Sequence, residues 1–139
     1  MKLRKTTFDD WELLLNWRND PSTRKNSFTE DKVKTTTHKL WFNDSLMNPR
    51  RNISILEENE IPVGTIRSDI LSKDKYLLSW SISPTQRGNG YGTKILEMFL
   101  QNKNGEFIAE IKPENIPSIK MAENNGFKYL NETQYVKQQ

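Results

Sequence analysis

Three glycines at alternate positions, Gly88, Gly90 and Gly92, lie between an apolar run and a helix-like run. That arrangement suits the holding of an anion. The run from Tyr76 to Ile82 reads as a buried strand, and Thr93 to Leu100 has the apolar spacing of an amphipathic helix. Without Cβ atoms, the three glycines let the backbone come close to an anion and turn several N–H groups toward it. The helix that follows adds its own unpaired N–H groups and the positive end of its dipole. Ile82, Ser83, Arg87, Asn89, Tyr91 and Thr93 complete the segment that would line such a site. The plainer reading is an ordinary glycine-rich turn from strand to helix.

Spacing separates the phosphate loops that use glycine. A P-loop needs Gly-Lys-Ser/Thr, whereas Gly92 is followed by Thr93 and Lys94. The G-x-G-x-x-G fingerprint fails because Thr93 stands where its third glycine belongs. What remains, Arg87-x-x-Gly90-x-Gly92, resembles the R/Q-x-x-G-x-G/A signature of the GNAT acetyltransferases. Further on, Asn115-x-x-Ser118 and Gly126-Phe127 are similar to that family's N-x-x-S/A-x-x-x-Y-x-x-x-G-F motif, with a strand-like run, Glu106 to Ile111, between the two. The resemblance implies that the loop and helix hold the pyrophosphate of acetyl-CoA, with Asn115 and Ser118 near the pantetheine or thioester. It also implies a splayed central sheet whose exposed strand, here Tyr76 to Ser83, pairs with the pantetheine arm.

Composition narrows the remaining classes. At 139 residues the chain reads as one domain, 1–139, large enough for a core without staples. The absence of cysteine excludes disulfides and thiolate chemistry, and a lone histidine excludes multi-histidine metal sites, so no metal is expected. A net charge of +3 suits a small anionic ligand and equally a mixed solvated surface. It lacks the dense basic stripe of a nucleic-acid binder. No apolar run is long enough for a membrane span, and Met1 to Lys5 is no signal peptide, so a cytoplasmic protein is expected. Monomer and homodimer both remain open.

The elements that must position these residues alternate. Lys2 to Thr6 reads as a strand, Phe8 to Arg18 as a helix capped by Thr7, and Thr29 to about Met47 as a second helix. Arg51 to Glu57 and Ile61 to Asp69 read as a hairpin, and Lys128 to Leu130 with Thr133 to Lys137 as another. The expected order is β-α-α-β-β-β-α-β-α-β-β. That is an α/β (α+β) arrangement, and it resembles the whole GNAT fold with a mixed central sheet.

Acetyl transfer to an amine needs a neutral nucleophile, a polarised carbonyl and a proton for the departing thiolate. The family's usual tyrosine acid falls on Ala122, which donates nothing. The polar side chains of the strand before the loop are Ser79, Ser81 and Ser83, so no carboxylate base comes from it. His38, which titrates near neutrality, and Asp69 are the candidate bases, with Ser118 the third catalytic candidate. The plainer reading of His38 is a surface residue. Trp17, Arg18, Arg24, His38 and Trp41 also resemble the acceptor region of the branch that acetylates nucleotide-linked amino sugars or ribosomal proteins. Trp17 would stack on a ring, and Arg18 and Arg24 would pair with a diphosphate. The alternatives are core packing for Trp17 and helix-terminal charge balance for Arg18.

An amine with a pKa of about 8 offers roughly a few-hundred-fold more neutral form at neutral pH than a lysine-like amine of about 10.4. A site without a strong base therefore favours amino sugars or peptide N-termini. The expected function is acetyl-CoA-dependent N-acetylation of a primary amine, first that of a nucleotide-linked amino sugar. Acetylation of a protein N-terminus or of a small-molecule amine such as an antibiotic is the same-fold alternative. A non-catalytic acyl-CoA-binding module is the alternative of another class.

Overall fold

A computed structural model describes residues 1–139. The alternating stretch after Arg51 forms its longest hairpin, β2 (Arg51–Glu58) and β3 (Ile61–Ser72). Asn59 and Glu60 turn it with positive φ, 51° and 67°, the mirror-image turn whose twist matches that of the flanking strands. β1 (Lys2–Lys5) pairs antiparallel with β2, and β4 (Lys75–Ile82) with β3. β5 (Glu106–Glu110) runs parallel to β4, the only parallel pairing in the sheet. The hairpin of β6 (Lys128–Asn131) and β7 (Gln134–Gln138) docks through β7, so the sheet order is β1-β2-β3-β4-β5-β7-β6.

The β4–β5 pairing is short. It begins with Lys75 opposite Glu106 and stops at Leu78 opposite Ala109. Past that point Ser79 to Ile82 continue beside β3 alone. The sheet is therefore open between its two central strands.

Helices cover both faces. On one, α4 (Tyr91–Leu100) and α5 (Ile116–Asn124) close a core in which Ile66, Leu78, Ile95, Leu96 and Phe107 are at most 2% exposed. Burial of each such side chain stabilises the fold by about 1.5–3 kcal/mol. On the other face, α1 (Trp11–Asn19) and α3 (Thr35–Met47) pack Leu14, Trp17 and Phe42 onto Ile53 and Ile55 of β2. Strand register sets Arg67 directly opposite Ile53, and Thr65 opposite Ile55. Two polar residues of β3 thus take places beside this second core.

The mixed α/β order is as expected, with two local differences. The first helix opens with a 3₁₀ turn, Phe8–Asp10, where the Asp10 carboxylate accepts from the Thr7 N–H at 2.9 Å. The second helix does not begin at Thr29. Instead a short α2 (Pro21–Lys25), capped by Asp20 accepting from Thr23 N–H at 3.1 Å, is followed by an irregular stretch, and α3 starts at Thr35. Tertiary contacts hold that stretch out of a helix. Asn19 exchanges two hydrogen bonds with the backbone of Val33, at 2.7 and 2.8 Å, and Arg18 Nη2 donates to the Thr29 carbonyl at 2.6 Å.

His38 is not the surface residue of the plainer reading; it is 4% exposed, between α3 and α1. Its Nε2 faces the Trp11 carbonyl at 2.9 Å, an acceptor only, so Nε2 carries the hydrogen. The ring stacks near Phe42, with centroids 6.0 Å apart. Burial lowers its pKa below the ordinary value, and the Trp11 carbonyl opposes that shift more weakly. The unfolded chain therefore binds a proton that the folded chain refuses, and stability falls as pH drops below about 6.5, by up to about 1.4 kcal/mol per pH unit. Thermal melts between about pH 7 and about pH 5.5 should show a smaller loss for His38→Gln than for the parent chain. Parallel losses would place the acid sensitivity elsewhere.

Candidate active site

β4 ends where Pro84, which has no N–H for a ladder, opens a 3₁₀ turn over Pro84–Gln86. The chain then swings into α4 through Gly88 and Gly90, whose φ angles of 81° and 78° disfavour any residue with a Cβ. Gly90 caps the helix, and Lys94 is the first residue to find a helical carbonyl, that of Gly90 at 3.2 Å. No carbonyl accepts from the N–H groups of Gly90, Tyr91, Gly92 or Thr93. A Cβ added at Gly90 would meet nothing within 4 Å, so the space before these donors is open. Together they form a cradle able to hold a phosphate or pyrophosphate.

Gly92 differs from the other two. A Cβ there would collide with Met121, so this glycine brings α4 onto α5. Nor does the Arg87 side chain turn toward the cradle. Its guanidinium donates to Ser22 Oγ and to Thr23 Oγ1 at 2.8 Å, and stands 3.3 Å from Asp20 Oδ2. The segment after α1 is thereby tied to the loop. Asn89 Nδ2 donates to the Gln86 carbonyl at 3.1 Å, and Thr93 Oγ1 accepts from Asn124 at 3.2 Å. The Glu58 carboxylate near the Tyr91 hydroxyl raises its pKa. Ser83 has its N–H committed to the Val63 carbonyl at 2.9 Å, and Ile82 is buried in the core.

A cavity of about 600 Å³ runs through the opening between β4 and β5. Ser79, Trp80 and Ser81 of β4 form its middle, where the strand lacks a neighbour. At one end stand Asn115 and Ser118, with Asn115 Oδ1 accepting the Ser118 N–H at 3.3 Å as the cap of α5. At the other end are Trp17, Arg18, His38 and Trp41. Trp17 is 6% exposed, packed in the core as the plainer reading had it, and it also borders the cavity.

Two expected residues do not line this cavity. Arg24 lies outside it, its Nε donating to the Glu30 carbonyl at 3.0 Å. Asp69 also lies outside, with Oδ1 at 2.6 Å from Arg51 and Oδ2 at 3.2 Å from Arg67, so both oxygens face guanidinium groups. Ala122, at the tyrosine position, is 0% exposed within the core.

Two charged lining residues were missed. Glu110, at the end of β5, is the only carboxylate of the cavity wall. Arg67, on β3 opposite Ser79, faces it from the sheet. A signal existed for each: Glu110 closes the run before the second motif, and Arg67 alternates with Thr65 on a half-buried strand.

No helix of the chain is long and apolar enough to cross a membrane. The profile of the acetyltransferase (GNAT) domain matches residues 1–128. No curated protein matches the sequence. Among solved structures, a domain from Methanocaldococcus jannaschii DSM 2661 is similar at 26% identity, TM-score 0.85, over 99% of this chain and 97% of that one. The aminoglycoside acetyltransferase AAC(6')-Ib, solved with coenzyme A and kanamycin, shares the fold at 16% identity and TM-score 0.82, over 99% and 94% of the two chains. Spermidine N-acetyltransferase from Vibrio cholerae, solved with CoA and spermine, does so at 16% identity and TM-score 0.82, over 98% and 91%. The glycine cradle, the opened sheet and the match over residues 1–128 agree: the chain belongs to the GNAT acetyltransferase family.

Proposed function

We propose that the chain transfers the acetyl group of acetyl-CoA to a primary amine that enters from the Trp17–Trp41 end of the cavity. One observation carries this reading. The free N–H groups before α4 follow directly on a strand edge that lost its neighbour at Leu78, so one extended molecule would satisfy both. Acetyl-CoA would supply a thioester-activated acetyl group. The N–H groups of Gly90, Tyr91, Gly92 and Thr93 would hold its pyrophosphate, and the backbone from Ser79 to Ile82 its amide-bearing arm. Gly88 and Asn89 would shape the loop, with Arg87 clamping it to the segment after α1.

Proton handling falls to the few titratable side chains of the wall. Glu110 would take the proton from the acceptor amine, directly or through one water. His38, whose charged form burial disfavours, would border the acceptor on the Trp41 side as a neutral ring rather than as a base. Asp69 would act as an electrostatic partner of Arg51 and Arg67 rather than as a base, since both of its oxygens are engaged. Ser118 is one of the wall's hydroxyls and would donate to a departing thiolate in place of the tyrosine missing at Ala122.

The first-choice acceptor is the amino group of a nucleotide-linked amino sugar. Two tryptophans and an arginine at the acceptor end support it, offering stacking and charge pairing. A second reading, a small polyamine or aminoglycoside-like amine, draws on the ligands named for the fold neighbours.

Two measurements check the scheme. Gly90→Asp puts a carboxylate and a strained backbone at the cradle, so acetyl-CoA binding by calorimetry should weaken at least about tenfold. Equal binding would remove the loop from cofactor recognition. Glu110→Gln should lower kcat about 10²-fold with acetyl-CoA affinity retained. Unchanged turnover would take Glu110 out of proton transfer.

A further inference from the structure

Arg67 is an arginine without a hydrogen bond. Its Nε lies 3.2 Å from Asp69 Oδ2 but is not aligned with it, and neither terminal nitrogen meets an acceptor in the chain. Yet its side chain is only 32% exposed, and it lines the cavity. Asp69 cannot balance it fully, because Asp69 Oδ1 serves Arg51 at 2.6 Å. Trp41 stacks close to both guanidinium groups, 5.6 Å from Arg51 and 5.8 Å from Arg67. Two cations therefore share one acid under an aromatic lid. The buried Nε of Arg67 has only the misaligned Asp69 beside it, and its terminal nitrogens keep their hydrogens free for a ligand in the cavity.

A second cation on the same wall is also incompletely satisfied. Arg18 Nη2 donates to the Thr29 carbonyl at 2.6 Å, whereas Arg18 Nη1 is buried with no partner, and no carboxylate pairs with this residue. The one acid of the wall, Glu110, stands exposed on β5. An amine bearing several positive charges would meet more cations than anions here.

We infer that Arg67 docks an oxyanion of the acceptor, a carboxylate or a phosphate, so that the acceptor carries its negative group close to the amine that reacts. The guanidinium fork matches either oxyanion with two parallel hydrogen bonds. Position supports closeness, because Arg67 is directly opposite Ser79, the first residue of β4 beyond its pairing with β5. That is where the strand edge opens into the cavity. This inference rests on the transfer reading for the identity of the reacting group, but it concerns binding and is tested as such.

Matched pairs of amines isolate it: glucosamine 1-phosphate against glucosamine, and β-alanine against β-alaninamide, with spermine as the polycation. Each is titrated by calorimetry into the protein saturated with CoA, and turnover with acetyl-CoA is followed by thiol release. At least one anionic member should bind about 10- to 100-fold more tightly than its neutral twin, the range expected for a charge-assisted pair. Which pair shows it separates phosphate from carboxylate. Arg67→Met should erase the difference and Arg67→Lys should keep part of it, with CoA affinity and melting temperature checked for both. Equal binding within both pairs, or tightest binding of spermine, would overturn the inference and leave acetyl transfer standing. Selective anion binding without thiol release from any acceptor would keep the inference and overturn the transfer reading.

Discussion

Every backbone N–H and C=O that leaves water needs a partner, and this chain withholds partners at two neighbouring stretches. One is the edge of β4 past Leu78, where β5 parts from it, and the other runs from Gly90 to Thr93 in the first turn of α4. The fold is organised to keep both stretches open. Pro84 stops β4 from continuing, Gly88 and Gly90 supply the left-handed backbone that swings the chain outward, and Gly92 seats α4 tightly on α5. The hydrophobic core of Leu78, Ile95 and Phe107 holds both sides of the gap, so a gap in pairing does not become a gap in packing.

The acceptor side is built on different terms. The two faces of the sheet differ: the α4–α5 face closes the core beneath the cradle, and the α1–α3 face supplies the aromatic and cationic chamber proposed for the acceptor. Arg51, Arg67 and Asp69 form a small charge network at its edge, with Trp41 over it. Two ties bind the segment between α1 and α3 to the cofactor half, Arg87 to Asp20 and Lys112 to Glu30 at 2.9 Å. Both are exposed pairs worth little in stability. Their value is positional, since they fix the segment that carries Asn26 to Val33 along the cavity.

The cradle was legible in the residues because its signal is local. Glycine spacing, the strand before it and the helix after it all lie within one short stretch, and the Asn115–Phe127 motif added a second local pattern. What stayed hidden needed three dimensions. Thr29-Glu30-Asp31 has the chemistry of a helix start, yet Asn19 and Arg18 capture that backbone and delay α3 to Thr35. Arg24 and Arg18 have the same chemistry in the sequence, and only the cavity wall separates them. Asp69 read as a spare carboxylate, because its two arginines come from a neighbouring strand and from two residues before it on its own strand. Arg67 and Glu110 were overlooked for the converse reason: strand alternation shows that a residue faces one side, and only the sheet register shows what that side contains.

The account stands on two stretches of open backbone donors, and amide hydrogen exchange reads those donors one by one. Exchange of Trp80 and Ile82, whose N–H groups point away from β3, and of Gly90 to Thr93 should be fast for their places in strand and helix, and saturating CoA should slow it at both stretches together. Protection confined to other parts of the chain, or CoA binding that leaves these amides exchanging as before, would contradict it.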